Sequence, residues 1–101
     1  MMIYEVNLSI PKDIYTTYMQ WLKPHIQKML SFPGFQNVRM LKPCDTTDTG
    51  YISLTLWYEI ESAAYLNHYL QEHASAMRQE AAPFAQTCHI TRRILEQLDQ
   101  I

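Results

Sequence analysis

Glycine is scarce. Two glycines in 101 residues, Gly34 and Gly50, exclude a phosphate-cradling loop, in which several glycines let the backbone approach the ligand. Cysteine is equally scarce. Cys44 and Cys88 stand far apart and lack the short spacing of a zinc site, so two unpaired thiols in a reducing compartment are expected. A basic surplus is absent as well. Eight Lys and Arg face ten Asp and Glu, for a net charge of −2 and a pI near 6.0. That balance argues against a nucleic-acid partner. No apolar run approaches the roughly 18 residues of a membrane helix. No basic segment followed by an apolar stretch opens the chain, so a cytoplasmic protein without a membrane partner is expected. A Ser-His-Asp order and a paired-carboxylate motif are also missing.

What remains is a globular composition, 48% hydrophobic and 18% charged, read as one domain over 1–101. A chain of this size leaves roughly 35–40% of its unfolded-state surface exposed, which favours a partner chain.

The apolar pattern changes period along the chain. "MIYEVNLSI" alternates, with Tyr4, Val6, Leu8 and Ile10 on one face and Ile3, Glu5, Asn7 and Ser9 on the other, as in a strand. "PKDIYTTYMQWLKPHIQKMLSF" has a helical period through Ile14, Tyr18, Trp21, Leu22, Ile26, Met29 and Leu30. Pro24 should kink this helix, and Gly34 should end it. "FQNVRMLKP" is a second strand, and the polar "CDTTDTG" a hairpin connection to a third, "YISLTLWYEI". A second helix follows from the N-cap Ser62 to Pro83, with Leu66, Tyr69, Leu70, His73, Ala74 and Met77 as its inward stripe. "TCHITRRIL" is a fourth strand, and "EQLDQI" a tail with one further helical turn.

The order β-α-β-β-α-β predicts a ferredoxin-like α+β domain: an antiparallel sheet with both helices on one face. The other face is left over, and what covers it bears on function. RNA-recognition motifs stack bases on such a face. Here only Gly50 and Tyr51 fit the third-strand signature of that motif, and Tyr4 of the first strand points the wrong way.

"MIYEVN" at the start, "WLKPHI" in the first helix, "YLQEHASAMRQE" in the second and "RRILE" in the last strand extend over nearly the whole chain. Together they resemble a bacterial family of single-domain proteins of about this length, a domain of unknown function within the dimeric α+β barrel class. The resemblance implies the fold and a homodimer through the open sheet face. It implies no reaction.

Several residues are candidates for a pocket or an interface. His25 and His73 stand where the resembled family also has histidines. They form either a proton-transfer or ligand-binding pair, or two half-buried histidines satisfied by nearby groups. No metal site is expected, because the histidines lack ligand spacing, and no cofactor is expected. Arg78 is either an anion clamp or a surface arginine paired with Glu72 or Glu80. Of the adjacent Arg92 and Arg93, one faces the helices and the other the open face. Glu5 is a candidate partner for Arg39 or Arg93, in an anion-binding pocket or a charged network across a dimer interface. Asn7 matches in place and type the strand asparagine of haem-degrading oxygenases on this fold. The tryptophan of that set falls near His68, and Trp57 lies in a strand instead. Trp21, Tyr15, Tyr18, Tyr65 and Tyr69 read as packing groups. The leading functional reading is a small homodimeric module binding a small-molecule ligand in its barrel pocket, or a protein partner. The alternative is a cofactor-independent monooxygenase or isomerase, with Asn7, Trp57 and a histidine around an aromatic substrate.

Overall fold

A computed structural model describes residues 1–44, 48–99 and 101. Strand β1 (Met2–Pro11) leads through a 3-10 turn (Lys12–Ile14) into helix α1 (Tyr15–Met29). Strands β2 (Phe35–Leu41) and β3 (Tyr51–Ile60) precede helices α2 (Ala63–Glu72) and α3 (Ala74–Gln79), and strand β4 (His89–Glu96) closes the sheet. The sheet order is β2-β3-β1-β4, with antiparallel neighbours. This is the ferredoxin-like arrangement. The connection expected over "CDTTDTG" falls partly on residues 45–47, outside the described residues.

Strand alternation puts Tyr4, Val6, Leu8 and Ile10 under the helices, opposite Tyr58, Leu56, Leu54 and Ile52 of β3. Tyr18, Leu22, Ile26 and Met29 of α1 close over them, with Leu66, Tyr69, Ala74 and Met77 from the later helices. Three- and four-residue steps on α1 and two-residue steps on the strands thus meet in one core.

β2 carries an irregularity. Phe35 pairs with Ile60, and Asn37 with the preceding Glu59, so Gln36 is an extra residue. The bulge lets Phe35 and Val38 both turn inward while Asn37 and Arg39 face out.

Three expectations are corrected. The second helix is not continuous. His73, at φ −126° and ψ −24°, separates α2 from α3. One non-helical residue advances the inward stripe by one place, so Ala74 is buried and His73 is only half-buried. His73 stacks on Phe32 instead, with ring centroids 4.5 Å apart and planes at 21°. The tail forms no helix over Gln97–Asp99, where the Gln97 amide donates to the Met1 carbonyl at 3.0 Å. β4 begins at His89 rather than Thr87, because the Thr87 and Cys88 amides donate back to the Phe84 carbonyl and complete a turn. Helix α1 runs on through Pro24, which lies on its exposed face, where water can satisfy the carbonyl that proline leaves unbonded.

Candidate functional site

A cavity of about 40 Å³ lies between the sheet and the helices. Tyr4, Tyr58, Tyr18 and Tyr69 contribute to its wall, joined by His25, Trp21, Arg78 and Arg92. Tyr4 and Tyr58 are direct cross-strand partners on β1 and β3. Their rings, 6.4 Å apart, share the floor, and Tyr69 of α2 meets Tyr4 at 5.8 Å. Burial raises the pKa values of Tyr58 and Tyr69 well beyond the ordinary phenol range and pushes that of Tyr18 up to about 12. All three hydroxyls therefore stay protonated at neutral pH.

Two of the hydroxyls have assigned partners. Tyr69 donates to the Met29 sulfur at 3.3 Å. The Tyr4 hydroxyl accepts from Arg78 Nη2 at 3.2 Å. Arg92 enters from β4, where it pairs with Val6.

His25 stacks on Trp21, with centroids 4.6 Å apart and planes at 24°. Its Nδ1 is buried and has no hydrogen-bond partner among the described residues. The nearest acid oxygen, Glu80 Oε1, is 3.7 Å away, beyond hydrogen-bond reach. The other Glu80 oxygen accepts from Lys28 at 2.6 Å. Burial lowers the His25 pKa below its ordinary 6.5, and the Glu80 charge offsets this in part. The imidazole is neutral at pH 7, with spare hydrogen-bonding capacity.

The opposite face is organised around Glu5, which is 3% exposed. Arg93 grips both its oxygens. Trp57 Nε1 donates to it at 2.8 Å and Asn7 Nδ2 at 3.0 Å. Thr55 in turn donates to Asn7 Oδ1 at 2.8 Å. These donors, Arg93 foremost, hold the Glu5 carboxyl down at about 2. Arg39 pairs with Glu59 at 2.7 Å rather than with Glu5. A shallow trough beside this cluster, about 270 Å³, is floored by Ser9, Ser53, Thr55 and Thr91.

The candidate residues therefore divide. His25, Arg78 and Arg92 share the cavity. Glu5, Asn7, Trp57 and Arg93 form the network on the other face. Arg39 stands in its own ion pair, and His73 packs at the helix break. Asn7 and Trp57 cannot enclose one substrate with His25, because the sheet stands between them. The sequence reading missed Tyr4 and Tyr58 as site residues and took Tyr18 and Tyr69 as packing alone. A signal was available: phenol hydroxyls on the core face of adjacent strands and helices need polar company. Among the described residues no three His, Cys, Asp or Glu gather as a metal site. No helix among them is long and apolar enough to cross a membrane.

Solved structures share this architecture. A Deinococcus radiodurans protein provisionally assigned as an antibiotic biosynthesis monooxygenase superposes with a TM-score of 0.76 at 14% identity, over 100% of this chain and 96% of that one. A variant of SnoaB, a cofactor-independent oxygenase from Streptomyces nogalater, gives 0.74 at 10% identity, over 99% and 96%. The de novo designed protein Foldit4 gives 0.65 at 6% identity, over 96% and 98%. An oxygenase and a design sharing one backbone show that the likeness concerns the fold alone. No curated protein matches by sequence. Family membership comes from the sequence itself: residues 1–98 match the model of a domain of unknown function, DUF4286, and the chain belongs to that family.

Proposed function

We propose that this protein is a homodimeric module that binds a small molecule in the cavity between its sheet and its helices. The observation that carries the reading is His25: a neutral imidazole in the cavity wall, with a buried Nδ1 that no described residue satisfies. Buried polar groups are ordinarily paired, and one left over beside a cavity favours a bound partner. The homodimer is supported by the open sheet face, where Ile3, Trp57 and Leu95 lie half-buried with no helix above them. Tyr51 and Leu41 on the same face are about 40% exposed. A second copy would cover that face and the trough beside it. The cytoplasm suits the two free thiols.

Native mass spectrometry of freshly purified protein tests both parts. A dimer carrying a reproducible extra mass, lost in His25→Ala, is the expected result. A monomer would overturn the homodimer. A clean dimer whose His25 ring resonances respond to no member of a small-molecule panel would overturn the ligand site.

A second reading is a cofactor-independent oxygenase. It is favoured by the neutral His25, able to take a proton from an acidic phenol and leave a phenolate open to dioxygen. The likeness to SnoaB agrees with it at the level of fold. Oxygen uptake with a panel of acidic phenols, abolished in His25→Ala, is its test, and no uptake across such a panel would dismiss it.

A further inference from the structure

Resting on the reading of the cavity as a ligand site, we infer that the ligand is an organic carboxylate held by Arg78 and Arg92. The four arginines divide by face. On the open face, Arg93 grips Glu5 and Arg39 holds Glu59. On the helix side, Arg78 and Arg92 both line the cavity. Among the described residues no carboxylate pairs with either of them. Among the described residues, Arg78 donates to a neutral acceptor, the Tyr4 hydroxyl, at 3.2 Å. Glu80, the nearest acid along the chain from Arg78, is engaged by Lys28 at 2.6 Å. The chain carries ten acidic residues and a net charge of −2, so these two guanidiniums do not go unpaired for want of carboxylates. Their charge reaches into the site: Arg92 works against the burial that raises the pKa values of Tyr18 and Tyr69.

A guanidinium presents a planar fork of donors that matches a carboxylate better than any neutral group. Both arginines line the cavity and are exposed residues, so the cavity mouth is where an acid head group would arrive. Deeper in, Val6, Leu8, Leu22 and Leu56 provide an apolar wall. The free volume of about 40 Å³ equals roughly three water-probe volumes. It accommodates a short apolar tail. Arg78 lies on α3, the segment that the His73 break separates from α2.

The test is a heteronuclear NMR titration at constant ionic strength with matched acids and amides: propionate against propionamide, and benzoate against benzamide. The acids are expected to bind at least about tenfold tighter than the amides, the least that a charge-assisted contact supplies. Arg92→Gln should cut the preference for acid over amide about tenfold, while Arg39→Gln, on the opposite face, leaves that preference unchanged. If acids and amides bind alike, the cavity reading stands and the carboxylate inference falls. If neither class binds, the cavity reading falls and takes the inference with it. Acid binding that survives Arg92→Gln and disappears in Arg93→Gln would place the anion on the open face and overturn the inference. Arg92 sits on an exposed edge strand, so its variant carries the test even if Arg78→Gln does not fold.

Discussion

Arg92 and Arg93 are consecutive in β4, yet they act on opposite sides of the sheet. Arg93 grips the buried carboxylate of Glu5 on the open face, and Arg92 lines the cavity beneath the helices. The period of two in a strand is the whole cause. The consequence is electrostatic: among the described residues, one guanidinium is paired with a carboxylate and its neighbour is not. Four measurements follow from the groups on the two faces.

Arg93→Ala should destabilise the fold more than Arg39→Ala. Glu5 is 3% exposed, so losing Arg93 leaves a buried carboxylate with only Trp57 and Asn7 as donors. The Arg93 side chain is itself 66% exposed, so solvent screening moderates the cost, which should still exceed that of Arg39→Ala. Arg39 holds a less buried acid and should cost under about 1 kcal/mol. Chemical denaturation of both variants decides it, and equal costs would contradict the assignment of Glu5 as the centre of the network.

The same carboxylate sets an acid limit. Glu5 titrates at about 2 in the fold, against an ordinary 4.5. A folded pKa below the unfolded one stabilises fully above about pH 4.5 and is lost as pH falls toward 2. Glu5→Gln should be less stable than the parent at pH 6 and should show a flatter decline between those limits. Urea midpoints at pH 6 and pH 3 measure it. A parallel decline in both proteins would remove Glu5 from the account.

Gly34→Ala should cost more than Gly50→Ala. Both glycines have positive φ, 84° and 81°, where an alanine is strained by roughly 1–2 kcal/mol. Around Gly50 there is open space, but a Cβ on Gly34 would lie 2.3 Å from the Tyr65 ring. The Gly34 carbonyl also accepts from the Glu61 amide at 2.9 Å, which limits retreat of the backbone. About 3 kcal/mol is expected at Gly34. Adding Tyr65→Ala should recover the steric part and leave the backbone part.

His25 should titrate below 6.5 in NMR, and Glu80→Gln should move it lower still. Burial depresses the value, and the Glu80 charge is what holds it up. The unfolded chain binds that proton more tightly, so the His25 contribution to stability is lost as pH falls below 6.5. A rise in the His25 pKa on removing Glu80 would mean that the two groups do not communicate as their 3.7 Å separation implies.

Much of the architecture was readable because it depends on local periodicity. Alternation in "MIYEVNLSI" and "YISLTLWYEI" assigned strand faces, and α1 followed its apolar steps. Ser62 caps α2 as its residue type suggests, its hydroxyl accepting from the Tyr65 amide at 3.4 Å. The break at His73 was not readable. "EHASAM" contains no glycine or proline, and the interruption coincides with a stacking contact to Phe32, forty-one positions earlier. The β2 bulge is of the same kind, since placing both Phe35 and Val38 inward is a demand of the core and not of the strand.

The sequence by itself determined the order of strands and helical segments, the faces of β1, β2 and β3, the lack of a basic surplus and the family. It also showed that Arg92 and Arg93 must part company, since adjacent strand residues point opposite ways. Which of them meets Glu5 was decided only by the register of β4 against β1, which sets Arg93 beside Glu5 and Arg92 beside Val6. The gathering of four tyrosines, His25 and two arginines around one cavity was likewise a tertiary outcome. Those residues come from both halves of the chain, and no local spacing encodes the distances between them.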